Sequence, residues 1–117
     1  MGIRLSTVRR LALSMPEATE ARHFDMTSFR VNQKIFATVP AEGDRVHVFI
    51  GSDEVAAYCA EYPGVVEELW WGQKLSGCRV QLKNATAGLL RELLTEAWRR
   101  KAGRRLAAQL DAAQEPG

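Results

Sequence analysis

The sequence predicts an α+β fold in which one antiparallel sheet is flanked by N- and C-terminal helices. Two observations carry this. Apolar residues recur at helical spacing near both ends of the chain, in Leu5, Val8, Leu11, Ala12 and Met15 and again in Leu89, Leu90, Leu93, Leu94, Ala97 and Trp98. Between them lie segments of alternating character joined by short turns, and short joints call for antiparallel pairing because parallel strands need a long crossover. With 117 residues, 46% hydrophobic and 26% charged, the chain reads as a single domain over 1–117 able to bury a core.

The first helix is expected from about Ser6 to Ser14, capped by Ser6 or Thr7 and stopped by Pro16. A polar connection, Glu17 to Asp25, leads into strands at Thr27–Val31 and Lys34–Val39, with Asn32-Gln33 as the turn between them. Pro40 to Asp44 is turn chemistry, and Arg45–Ile50 is a third strand. Ser52 is expected to cap a helix running to about Tyr62, with Asp53 and Glu54 near its positive end and Pro63-Gly64 closing it. Val65–Trp71 fits either a short strand or an apolar loop held by the two indoles. A further strand lies within Leu75–Leu82. Asn84 or Thr86 caps the C-terminal helix, Gly103 breaks it, and Arg104–Ala113 continues with Leu106 and Leu110 inward. The tail from Gln114 is expected to fray.

Several function classes find no support in the residues. Cys59 and Cys78 form no metal-spaced pair, and with no signal peptide recognised they are expected to be reduced thiols in a cytoplasmic protein. No apolar run approaches the roughly 20 residues that span a bilayer, so no membrane partner is expected. The segment Met1 to Ser6 matches a myristoylation pattern and Asn84-Ala85-Thr86 a glycosylation pattern, but helix formation and capping explain both. His23 and His47 sit in no triad or ligand spacing, the glycines form no phosphate loop, and neighbouring carboxylates such as Glu67-Glu68 do not converge. No catalytic residue, metal site or cofactor is assigned, and the chain is expected not to be an enzyme.

Charge is segregated along the chain. Six basic residues face three acidic ones over 1–40, one faces seven over 41–69, and nine face four in the remainder. Such a chain can present a basic surface to a polyanion, with the acidic middle on the far side, while its net charge is only +2. Strand alternation divides the sheet into an apolar set (Phe29, Val31, Ile35, Ala37, Val39, Val46, Val48, Ile50, Val80, Leu82) and an opposite set holding Arg30, Lys34, Phe36, Arg45, His47, Phe49, Arg79 and Lys83. Basic residues interleaved with aromatics suit phosphate contacts and base stacking. The same set equally fits a solvated sheet face covered by Arg and Lys stems. The run Arg99-Arg100-Lys101 with Arg104-Arg105 likewise suits either a nucleic-acid backbone or the negative end of a helix.

Taken in order, Val8 to Glu17, Phe24, Ser28 to Ala37, Trp71-Gly72, Val80-Gln81-Leu82 and Glu96-Ala97-Trp98 resemble the MmcQ/YjbR family over about residues 5–110. The resemblance implies a frataxin-like arrangement of antiparallel strands and helices, and DNA binding through a double-wing motif. It supplies no catalytic residues. The chain departs from the family at Gly77-Cys78-Arg79, where an aromatic is expected beside the glycine, and at Asn32-Gln33, where a glycine turn is common.

The expected function is therefore non-enzymatic DNA binding through phosphate contacts from Arg30, Lys34, Arg45, Arg79, Lys83, Arg99, Arg100, Arg104 and Arg105. The alternative is a small protein- or ligand-interaction domain with a pocket at Trp70 and Trp71. A pI near 8.7 lies below the range of strongly basic nucleic-acid binders.

Overall fold

A computed structural model describes residues 2–114. The elements run α1 (Leu5–Leu13), β1 (Thr19–His23), β2 (Met26–Val31), β3 (Lys34–Val39), β4 (Arg45–Val48), α2 (Ser52–Glu61), β5 (Val66–Trp71), β6 (Lys74–Gln81), α3 (Ala87–Ala102) and α4 (Arg104–Gln114). The strands make one six-stranded antiparallel sheet in the order β1-β2-β3-β4-β6-β5. The chain meanders through β4, leaves the sheet to form α2, and returns as a hairpin whose second strand docks against β4.

All four helices share one core with the inner sheet face. Phe29, Val31, Ala37, Val46, Val48, Cys78 and Val80 meet Val8 and Leu11 of α1, Val55 of α2, Leu90, Leu94 and Trp98 of α3, and Leu106 of α4. Burying large apolar side chains stabilises such a core by about 1.5–3 kcal/mol each. Trp98 adds a tether, since its indole N–H donates to the Pro16 carbonyl at 3.1 Å and fixes α3 to the turn after α1. Thr86 caps α3 by accepting from the Leu89 amide at 3.2 Å. Gly103, at φ 87, ends it in a conformation that favours glycine.

Three sequence expectations are corrected and one left open is settled. The connection Glu17–Asp25 contains a strand, β1, paired in register with β2. Four of its five residues are exposed, because an edge strand carries little apolar signal. The stretch Val65–Trp71 is strand rather than loop over Val66–Trp71. Neither Ser6 nor Thr7 caps α1, whose N-cap is Arg4, and α2 is capped at Gly51 rather than Ser52. Ile35 and Phe36 exchange faces. Phe29 pairs with Ala37 but Arg30 pairs with Ile35, so Phe36 is the extra residue of a bulge. The bulge turns Phe36 wholly into the core and leaves Ile35 half-buried on the opposite face. Of the tail expected to fray, residues 115–117 lie outside the described residues.

Candidate functional site

Helices cover the inner sheet face, so the outer face is the one open to a ligand. One residue from each strand forms a row across it: Ala21, Ser28, Thr38, His47, Arg79 and Glu67. Ser28 and Thr38 are buried here although polar. Ser28 Oγ donates to the Ala21 carbonyl at 2.7 Å and accepts from Arg30 Nε at 3.1 Å, so the Arg30 stem lies along the pleat. Thr38 Oγ1 and His47 Nδ1 are 3.3 Å apart. The Nε atoms of Arg45 and Arg79 and Nε2 of His47 are buried without a partner. Burial holds the His47 pKa below its usual value of 6.5, and the Arg45 and Arg79 guanidinium groups lower it further, against a small opposing pull from Glu42.

A cavity of about 990 Å³ opens on this face. Its position follows from the topology. The β2–β3 turn, the end of β4 leading into α2, the β5–β6 turn and the C-terminal end of α3 all arrive at one end of the sheet. They contribute Arg30, Lys34 and Ile35, then Phe49 and Gly51, then Trp71 and Lys74, then Arg100 and Lys101, while His23 and Met26 reach it from β1 and β2. Gly51 leaves room for the Arg100 guanidinium, whose flexible tip a Cβ there would meet at 2.8 Å and displace. Burial lowers the Lys101 pKa, and repulsion from Arg100, Lys34 and Lys74 adds to it, so four cations from three elements lie within electrostatic reach. Among the described residues none of these four holds a carboxylate at ion-pair distance.

The aromatic lining is equally specific. Phe49 and Leu69 are buried but lie apart from the main core, on the outer face. The Phe49 and Trp71 rings are 5.4 Å apart at 59°. Trp71 remains 58% exposed and Trp70 51% exposed, with the Trp70 indole N–H donating to Glu68 Oε1 at 3.3 Å.

The residues expected to bind nucleic acid are thus dispersed. Arg30, Lys34 and Arg100 line the cavity. Arg45 and Arg79 occupy the same sheet face outside its lining, and Arg45 holds Asp44 at 2.8 Å. Lys83 is exposed just beyond β6, beside the segment where the Ile3 amide donates to the Leu82 carbonyl at 2.8 Å. Arg99 turns to α4 and holds Asp111 at 2.6 Å. Arg105 points to Glu17 at 4.0 Å, and Arg104 is exposed at the start of α4. The acidic middle segment is not confined to the far side: Asp53 and Glu54 line the cavity, and Glu67 shares the outer face, accepting from Gln81 Nε2 at 2.7 Å. Lys74 was not singled out from the sequence, since its place beside Lys34 depends on how the β5–β6 hairpin docks. Among the described residues no group of three or more His, Cys, Asp or Glu side chains could hold a metal ion. No helix among them is long and apolar enough to cross a membrane.

An antiparallel sheet with helices on one face and a cation-rimmed cavity on the other defines a small α+β domain with an open sheet face. The YjbR family model matches residues 13–100, and the chain belongs to the YjbR family. A crystal structure of Deinococcus radiodurans protein DR2400, a DUF419 domain, is similar in fold at a TM-score of 0.73 and 16% identity, covering 92% of this chain and 88% of that one. No curated protein sequence matches this chain.

Proposed function

We propose that this YjbR protein is a non-enzymatic, cytoplasmic DNA-binding protein that holds the phosphate backbone on its open sheet face. The observation that carries this reading is the convergence of Lys34, Lys74, Arg100 and Lys101 on one cavity, where they outnumber the lining carboxylates Asp53 and Glu54 and where, among the described residues, none of the four is held in an ion pair. An excess of cations at a concave surface is a focus for a polyanion. Arg30 lines the same cavity, and Arg45, Arg79 and Lys83 would extend the contact along the face. Arg104 would flank it, whereas Arg99 and Arg105 already face carboxylates and would add least. The double-wing DNA binding implied by the family resemblance agrees with this reading.

The test is fluorescence anisotropy of a labelled oligonucleotide across a salt series. Log affinity should fall linearly with log salt, by roughly 0.7–0.9 for each phosphate neutralised. Absence of measurable binding at low salt would overturn the proposal.

A second reading, a protein- or ligand-interaction domain, draws on the exposure of both Trp70 and Trp71 on edge strand β5. An affinity for a neutral ligand that is insensitive to salt would favour it over DNA binding.

A further inference from the structure

We infer that the nucleic acid held on this face is single-stranded, with a base stacked on Trp71; this rests on the DNA-binding reading above. In a duplex the base faces are covered by their neighbours, so an aromatic ring in a recess finds a partner only in an unstacked base. Trp71 is such a ring, more than half exposed, braced by Phe49 and lining the cavity. Lys74 pairs with Trp71 across the β5–β6 hairpin, which sets a cation directly opposite the indole's residue, where the phosphate next to a stacked base would lie.

The far end of the cavity also carries aromatic rings. His23 lines it and packs edge-on against Phe24, with ring centroids 4.7 Å apart. Phe24 is 82% exposed at a φ of 59°, a conformation that a bulky residue rarely adopts. His23 and Trp71 belong to the two edge strands, β1 and β5. Five inter-strand spacings of about 4.8 Å put those edges about 24 Å apart. A cationic track of that span with aromatics at each end suits a few nucleotides, at the lower end of the ~4–16 that single-strand platforms cover.

The experiment compares an oligothymidylate of about 12 nucleotides with a duplex of the same length, at low salt, for the wild type, Trp71→Ala and Trp71→Phe. The single strand should bind at least about tenfold more tightly than the duplex. Trp71→Ala should weaken it by roughly 5- to 150-fold with the salt slope unchanged, since a stack and no phosphate contact is lost, and Trp71→Phe should retain most of the affinity. Circular dichroism should show both variants folded, as the indole is exposed on an edge strand. Equal or tighter duplex binding, or an unchanged Trp71→Ala affinity, would overturn the single-strand inference and leave the DNA reading standing. Binding of neither nucleic acid would overturn both.

Discussion

His47 stands directly opposite Arg79 across the β4–β6 pair, and neither the His47 Nε2 nor the Arg79 Nε has a hydrogen-bond partner. An imidazolium here would meet two guanidinium groups in a partly desolvated setting, so the fold favours the neutral ring. NMR titration should therefore place the His47 pKa below its usual 6.5, and Arg79→Gln should raise it. Because the unfolded chain takes up this proton first, the associated stability is complete above about 6.5 and is lost as pH falls toward the folded value. A His47 that titrates at or above 6.5 would contradict this electrostatic account.

Gly77 lies beside the end of β4, against the Val48–Phe49 backbone. A Cβ there would collide with the Val48 carbonyl oxygen and come within 3.0 Å of Phe49 Cα, and backbone cannot yield as a side-chain tip does. Gly77→Ala should lower stability in urea by about 1–3 kcal/mol or more and disturb Phe49. A change under about 0.5 kcal/mol, the size usual for surface substitutions, would show that the strands can separate here without penalty.

Asn32 and Gln33 both adopt positive φ, at 54° and 64°, as a two-residue hairpin of the primed type requires. Asparagine tolerates this conformation, but glutamine adopts it at about 1–2 kcal/mol, more than the entropy glycine loses on folding. Gln33→Gly should raise stability by about 1 kcal/mol and Tm by a few degrees. A lower Tm would mean that the Gln33 side chain contributes a contact that outweighs the backbone strain.

Glu96 of α3 faces α2, where burial raises its pKa and the Glu54 carboxyl raises it further. The folded state therefore binds this proton more tightly than the unfolded chain, and ionisation destabilises the fold at neutral pH. Glu96→Gln should be more stable than the wild type at pH 7. The difference should shrink as pH falls through the folded value and vanish below the unfolded one, near 4.5. A variant no more stable than wild type at pH 7 would contradict this.

The helices were legible in the sequence because α1 and α3 bury a broad face, and burial imposes a period that residues such as Leu90, Leu94 and Trp98 display. β1 was not, because Thr19–His23 forms an edge strand exposed along most of its length. Strand parity gathered Arg30, Arg45, His47 and Arg79 on one face, but it assumes an unbroken alternation, and the bulge at Phe36 breaks it. The cavity was legible only in fragments, since Arg30, Lys34, Trp71 and Arg100 were each singled out but nothing in the sequence joined them. Lys34, Lys74 and Lys101 are far apart in the chain, and they meet only because the hairpin of β5 and β6 returns beside β4 and α3 ends at the same edge.

The central claim, that nucleic acid is held in the cavity of the open sheet face, is tested most directly by adding an oligonucleotide to ¹⁵N-labelled protein and mapping the perturbed resonances. The account predicts that shifts concentrate on Arg30, Lys34, Lys74, Lys101 and the Trp71 indole N–H, and that they collapse on raising the salt. Shifts confined to α1 and α4, with those cavity residues unperturbed, would contradict it.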